Sequence, residues 1–299
     1  MYVSHGGMCM QMKNENNQLK IEEPSCYHCQ HEEADTLIAF HVNSFSSGNI
    51  LVMSTDTDVF IILLGLCGRS SRINIIMDYG SGNNRRFINV TNVAEILEKK
   101  HLGMTEALIG LHALTGCDFT SCFFRKGKVK PLQRMESYAA HVTALQSLTS
   151  DDVDVTGVTS FVSSLYGFQT KDINEARLKS CMRMSSGKTK DPLSDIRKIN
   201  CASLPPWTTN TLQNHLKRAH YVAKMWKRAD QAHPTSRTNP ANYGWKLTEN
   251  CFQPDWFSGS SVPESLTAPL SENTDSSTDE EESDSFWSEE SEDSDEEEM

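Results

Sequence analysis

The acidic residues best placed for chemistry lie in three short motifs, each beside an apolar run. They are Glu33 and Asp35 in His-Glu-Glu-Ala-Asp, Asp56 and Asp58 in Ser-Thr-Asp-Thr-Asp, and Asp118 in Leu-Thr-Gly-Cys-Asp. Two carboxylates ~4 Å apart at an effective dielectric of ~20 repel by roughly 4 kcal/mol, so a cluster needs a positive charge to offset it. Because Mg²⁺ and Mn²⁺ favour carboxylate and phosphate oxygens, the motifs predict a Mg²⁺ (or Mn²⁺) site for phosphodiester chemistry.

Each motif taken alone has an alternative explanation in helix structure. Asp56 and Asp58 fit a helix N-cap and first turn, and Glu33 and Asp35 also fit a first turn, where the helix dipole favours acids. Asp118 fits a turn that ends a helix. The three motifs in order, around strands and helices, favour a shared site at the carboxyl ends of strands.

The elements predicted around these motifs alternate between helix and strand. Apolar spacing predicts a helix that begins near Glu33, and Asp56 to Leu64 fits either a helix or a strand. Further helices are predicted from Thr91 to Lys100 and from Thr105 to Leu114, and strands at 50–53, 73–77 and 87–90. This alternation predicts an α/β domain with a mostly parallel sheet.

Four segments follow from the pattern along the chain. Residues 1–30 are predicted to be a polar leader, 31–130 the α/β core, and 131–257 a helical extension, irregular and aromatic from 240 to 257. Its helices are predicted at 132–148, 158–166, 174–184 and 211–228. Residues 258–299 are rich in Ser and then in acids, and are predicted to be a disordered acidic tail.

The net charge and the spacing of the cysteines limit the partners and the cellular locations that are expected. The net charge is −12, but fifteen acids and no Lys or Arg follow residue 270, so the remainder carries +3. This slightly basic body permits DNA or RNA as a partner, and the tail suits a basic protein partner. No signal peptide or membrane-spanning run is visible, and the nine cysteines lack framework spacing. We expect reduced thiols and a nuclear or cytoplasmic location.

A basic cluster follows Asp118 in the sequence. Arg125, Lys126, Lys128 and Lys130 surround Gly127, which suits phosphate contacts that do not read base sequence. The alternative is a solvated loop. His112 lies on the apolar face of its predicted helix, where a core histidine is expected rather than a general base.

The ordered motifs resemble the later half of the flap-endonuclease/XPG type of PIN-like nuclease. There a Glu-x-acid, an Asp-x-Asp and a Gly-Ser-Asp motif hold two Mg²⁺ ions, and a Gly-rich turn between DNA-gripping helices follows. The chain is also similar to a group of mobile-element-associated eukaryotic proteins with no settled function, through His-Ala-Leu-Thr-Gly-Cys-Asp and later motifs up to Tyr243-Gly-Trp245. The resemblance covers residues 31–257 and implies a three-layer PIN-like core with Glu33, Asp35, Asp56, Asp58 and Asp118 as metal ligands.

One departure from that family shapes the functional hypotheses. The family carries its first metal-binding aspartates well before the Glu-x-acid motif, but the thirty-two residues before Glu33 contain no Asp. We therefore expect the N-terminal part of the core to be missing and the site to be incomplete. The first hypothesis is an incomplete or degenerate Mg²⁺-dependent nuclease, weakly active or inactive, that retains nucleic-acid binding. The alternatives are a non-catalytic interaction protein derived from a mobile element and a nuclease completed by another chain.

Overall fold

The protein is an α/β protein in the computed structural model, which describes residues 2–5, 8–15, 18–24, 28–68, 73–185, 199–206, 209–235 and 238–257. The chain divides into two compact units, Met1–Ser258 and Gly259–Met299, and every described residue lies in the first. The segment predicted to be a disordered acidic tail, 258–299, lies outside the described residues.

Eight strands and nine α-helices lie within the described residues. The strands are β1 Tyr2–His5, β2 Met8–Glu15, β3 Gln18–Glu22, β4 Gly48–Met53, β5 Ile73–Tyr79, β6 Arg86–Asn89, β7 Trp245–Thr248 and β8 Cys251–Pro254. The helices are α1 Ala34–Asn43, α2 Thr57–Cys67, α3 Val90–Lys100, α4 Met104–Thr115, α5 Val129–Glu136, α6 Ala139–Ser147, α7 Val155–Leu165, α8 Ile173–Ser185 and α9 Thr209–Lys227.

The sheet that carries the acidic motifs is mixed. β4 pairs with β5 in parallel, and β5 pairs with β6 in the antiparallel sense. The prediction of a mostly parallel sheet is therefore not confirmed among the described residues. The reason lies in the connections: α2 crosses over between β4 and β5, whereas only residues 80–85 join β5 to β6. So short a link allows an antiparallel return but no parallel crossover.

Residues 1–30, predicted to be a polar leader, contain an antiparallel sheet with strand order β1-β2-β3. In sequence, Gly6-Gly7 and Asn16-Asn17 separate these strands, and such residues favour two-residue hairpin turns. These strands were not predicted, and burial did not create a pattern that would reveal them: the side chains of β3 are all exposed, including the apolar Leu19 and Ile21.

The α/β part and the later helices share one hydrophobic core. Leu63 of α2, Leu114 of α4, Phe161 of α7 and Trp226 of α9 are all buried within it. α4 is buried along most of its length because α2, α6 and α9 all pack on it. α4 therefore joins the acidic motifs to the helical extension.

Three predicted elements differ in detail from the structure. The segment 132–148 forms two helices, α5 and α6, rather than one. The side chain of Asn89, not Thr91, caps α3; Thr91 Oγ1 accepts from Ile75 N (2.9 Å) and so ties α3 to β5. The segment predicted as irregular contains the hairpin β7–β8, whose turn places Glu249 and Asn250 at positive φ.

None of the described helices combines the length and the apolar composition that crossing a membrane requires.

Candidate metal centre

The start of α1 positions Glu33 and Asp35. Glu33 is the N-cap residue in extended conformation, and Asp35 lies in the first turn. Just before them, Gln30 N donates to Ala232 O (2.8 Å), and His31 Nε2 donates to Gln231 O (2.9 Å). These bonds hold the acidic start of α1 against the segment that follows α9.

The start of α2 positions Asp56 and Asp58. Asp56 is the N-cap, and its Oδ1 accepts from Asp58 N at 2.8 Å. Asp56 N in turn donates to Ser54 Oγ (3.1 Å). The alternative given for this motif from the sequence, a helix N-cap and first turn, is therefore what the structure shows, and this geometry brings the two acids together.

Asp58 has a partner on a different helix. His112 of α4 lies with its Nε2 2.7 Å from Asp58 Oδ1, and its ring packs 5.8 Å from that of Trp226. His112 is buried, as expected from its apolar helix face. Its hydrogen bond to Asp58 was not predicted, and it fixes the orientation of one carboxylate while leaving Oδ2 available.

Asp118 lies in a tight turn after α4. Cys117 and Thr120 bond each other's backbones in both directions, so Asp118 lies at the exposed tip between them. Gly116 permits this turn: its φ is +115°, and a Cβ there would lie 2.8 Å from Cys122 Cβ. A side chain at position 116 would therefore displace the segment that carries Asp118.

Three of the five predicted ligands meet at one point. Asp35, Asp56 and Asp58 each offer an oxygen that lies within 4.8 Å of the other two. In an octahedral Mg²⁺ site with ligands at about 2.1 Å, neighbouring oxygens lie about 3 Å apart and opposite ones about 4.2 Å, so oxygens as far apart as 4.8 Å would have to move closer together to share one ion. The donors are hard carboxylate oxygens, and Asp56 and Asp58 each have one oxygen outside the cap and His112 bonds. The three carboxylates could hold a divalent ion of the Mg²⁺ type.

The acids of the three motifs act on one another electrostatically, as the causes of the raised pKa values of Glu33 and Asp35 indicate. Burial, followed by the charges of Asp35, Asp118 and Asp58, raises the pKa of Glu33 to about 7. Burial, followed by the charges of Asp56, Asp58 and Asp118, also raises the pKa of Asp35. Glu33 and Asp118 thus lie close enough to the three clustered aspartates to repel them, although they do not share their single meeting point.

The four basic residues predicted to contact nucleic acid have different environments. Arg125 is exposed, with its guanidinium 5.1 Å from the Phe124 ring centre. Lys126 and Lys130 line one cavity. Lys128 points elsewhere: its ammonium donates to His112 O (2.9 Å), Thr115 Oγ1 (3.1 Å) and Gly116 O.

Lys128 therefore has a structural role at the carboxyl end of α4. A cation there complements the helix dipole and satisfies carbonyl oxygens that have no helical partner. Burial lowers the pKa of Lys128, while the nearby Cys117 and Asp58 act in the opposite direction. All three ammonium protons are engaged within the chain, so its contact with a phosphate would first have to break these bonds.

A cavity of about 620 Å³ adjoins the acidic site at the carboxyl ends of β4 and β5. Ser54 and Thr55, which directly precede Asp56, form one wall. Arg85 and Asp78 also line the cavity, and Arg85 makes two hydrogen bonds to the buried Asp78, of 2.7 and 2.6 Å. The carboxyl ends of the strands of an open α/β sheet are a common ligand position.

Sequence reasoning missed the residues that act through distant contacts. His112 was assigned to the core, and no role beside the acidic motifs was predicted for His31 or Trp226. Of these residues, only His112 had a sequence signal for a place near the acidic site, because its helix directly precedes the Gly-Cys-Asp motif.

Searches against protein-family models, curated proteins and solved structures find no match for this chain.

Proposed function

We propose that the chain is a nuclease-like protein with an incomplete Mg²⁺ site and retained affinity for nucleic acid, built on a PIN-like core. Asp35, Asp56 and Asp58 bind one ion, and Glu33 and Asp118 complete its surroundings. Lys126 and Lys130 contact strand phosphates. Within residues 31–130 the five carboxylates suffice for one ion and only part of a second, so cleavage is weak at most.

The single observation that supports this proposal is the meeting of three carboxylate oxygens within 4.8 Å. Three motifs from three parts of the chain contribute to that neighbourhood, and the fold tolerates the repulsion that raises the pKa values of Glu33 and Asp35. A binding role for a cation explains why such an arrangement is kept, because the ion offsets the repulsion.

The residues of the chain have separate tasks in this proposal. The His112 hydrogen bond holds Asp58 in place, and the α2 cap holds Asp56. An Mg²⁺ ion held by Asp35, Asp56 and Asp58 would supply an activated water and would stabilise negative charge on a phosphodiester. Ser54, Thr55 and the cavity of about 620 Å³ beside them give the strand room next to the acids.

The first test measures ion binding directly. Titration calorimetry with Mn²⁺ and Mg²⁺ is expected to show binding to the wild-type chain and a loss of at least about tenfold in affinity for Asp58→Asn. Asp152→Asn, an exposed acid outside the three motifs, is the matched control and keeps full affinity. Identical affinity in Asp58→Asn and the wild type would remove the metal site from the proposal.

The second test measures cleavage. Branched and flapped DNA and structured RNA are incubated with the chain and Mg²⁺ or Mn²⁺, alongside Asp56→Asn and Asp118→Asn. Any activity of the wild type should fall in both variants. Activity that survives both changes belongs to another site or a contaminant.

A second candidate function is a non-catalytic interaction protein. It is favoured by the hydrogen bonds of Asp56 and Asp58, because a helix cap and a buried histidine partner account for both carboxylates without an ion. In that case calorimetry shows no ion binding, whereas the binding of nucleic acid or of a basic protein is unaffected by Asp58→Asn.

A further inference from the structure

A second cavity, of about 350 Å³, lies between α5 and the end of α7 and is distinct from the acidic site. We call it the α5 pocket. Its lining residues are Lys126, Lys130, Gln133, Arg134, Ser137, Ser164 and Leu165. The lining combines three cations with an amide and two hydroxyls and contains no acid.

The positions of the cations follow from α5. Lys130 and Arg134 are four residues apart on the helix and therefore share a face. Lys126 reaches the same cavity from the preceding turn, with its ammonium 4.0 Å from the centre of the Tyr166 ring. That ring stays a neutral phenol at physiological pH, since burial raises the pKa of Tyr166 to about 12.

The three cations have no carboxylate partner among the described residues. Glu136, the nearest acid in sequence, forms an ion pair with Lys100 at 2.9 Å. Burial and the charge of Lys130 lower the pKa of Lys126, so the two lysines repel each other across the cavity. An anion in the pocket would relieve that repulsion.

The polar groups around the cations suit an oxygen-rich ligand. Ser164 is buried at the floor and donates to Phe161 O (2.6 Å), and Ser137 donates to Gln133 O (2.7 Å). Rotation of either hydroxyl presents its hydrogen to a ligand instead. The guanidinium of Arg134 adds planar paired donors that match phosphate geometry.

We propose that the α5 pocket binds the terminal phosphate of a nucleic-acid strand. A phosphomonoester carries about −1.5 to −2 at pH 7, which matches three cations better than the single charge of an internal phosphodiester. This inference rests on the proposed affinity for nucleic acid and adds a preference for strand ends. Free phosphate has the same chemistry, and the test separates the two sources.

The test compares short single-stranded oligonucleotides that are identical except for a phosphate at the 5′ end, at the 3′ end, or at neither. Binding is measured by fluorescence anisotropy in low salt with EDTA, so the acidic site does not contribute. We expect one phosphorylated strand to bind at least about tenfold more tightly than the unphosphorylated strand. The double variant Lys130→Gln/Arg134→Gln should lose that difference.

The matched control removes two positive charges from exposed positions outside the α5 pocket. Lys99→Gln/Lys246→Gln changes two exposed lysines, on α3 and β7, and should keep the preference for the phosphorylated strand. Circular dichroism checks that both double variants are folded; if the α5 variant is not, Lys130→Gln alone replaces it.

Three results would overturn the inference. The first is equal binding of phosphorylated and unphosphorylated strands, and the second is an equal loss in both double variants, which would indicate general charge attraction. The third is inorganic phosphate binding as tightly as the phosphorylated strand, which would assign the pocket to free phosphate. Because the strands are compared in EDTA, the result does not depend on ion binding, so failure of the pocket and failure of the metal site are distinguishable.

Discussion

His112 Nε2 and Asp58 Oδ1 lie 2.7 Å apart and join α4 to the first turn of α2. Both side chains are largely buried, so water cannot readily replace either one as a hydrogen-bond partner. The pair couples the position of an acidic candidate ligand to the core, because the His112 ring also packs on Trp226.

We predict that this pair contributes to stability as a unit. His112→Leu leaves a partly buried carboxylate without its donor, and Asp58→Ala leaves a buried imidazole without its acceptor. Urea denaturation of both single variants and the double variant should give a coupling free energy of about 1 kcal/mol or more. Additive effects would show that the hydrogen bond contributes nothing to the folded state.

Asp56 should have two separable roles. Asp56→Ser keeps an N-cap acceptor for α2, so the free energy of unfolding should change little, whereas Asp56→Ala should lose about 1 kcal/mol. Both changes remove the carboxylate and should weaken Mn²⁺ binding at least about tenfold in calorimetry.

The matched control for this pair of variants is Asp154→Ala. Asp154 caps α7 through a 2.8 Å bond from Gly157 N, so its loss should lower stability without changing Mn²⁺ affinity. If Asp56→Ser binds Mn²⁺ as well as the wild type, Asp56 is a cap alone.

Glu33 should make stability fall as pH rises. Its pKa in the folded chain is about 7, against an ordinary 4.5, so the folded state holds more protons than the unfolded state between these values. Stability is therefore greatest below pH 4.5 for this group and is lost as pH approaches and passes 7. After allowance for solvent screening the loss is about 1 kcal/mol.

Glu33→Gln should remove that part of the pH dependence, as measured by urea denaturation at pH 5 and pH 8 in EDTA. Glu95→Gln, a change at an exposed acid on α3 whose charge does not act on Glu33, should leave it in place. Equal pH dependence in the Glu33→Gln variant and the wild type would contradict the raised pKa.

Lys128 and Lys130 should differ although both belong to the same basic cluster in sequence. Lys128→Met removes three hydrogen bonds at the end of α4 and should lower the free energy of unfolding by about 1–3 kcal/mol. Lys130→Met changes an exposed side chain and should leave stability within about 0.5 kcal/mol. Thermal denaturation of both variants decides the matter, and equal stability would refute a structural role for Lys128.

Local pattern was enough to predict most of the helices and the central strands. The apolar spacing that indicated α1, α4, α7 and α9 comes from faces buried in one core, so periodicity and packing agree there. The strand β6 was predicted in place but not in direction, since direction depends on the length of the turn before it.

The candidate site was predictable in its residue types but not in its contacts. The three acidic motifs carry their own signal, and the structure brings Asp35, Asp56 and Asp58 together. The bond between His112 and Asp58 spans 54 positions, and the direction of Lys128 depends on where α4 ends. Such relations arise from tertiary packing, which no local pattern encodes.

Two hydrogen bonds, from Gln30 N to Ala232 O and from His31 Nε2 to Gln231 O, tie the start of α1 to a segment two hundred positions away. The positions of Glu33 and Asp35 therefore depend on that segment. A shortened chain that keeps all the acids of the three motifs but stops before α9 would therefore lack the two hydrogen bonds that hold the start of α1. During synthesis on the ribosome these two hydrogen bonds likewise cannot form until α9 and the residues after it have emerged.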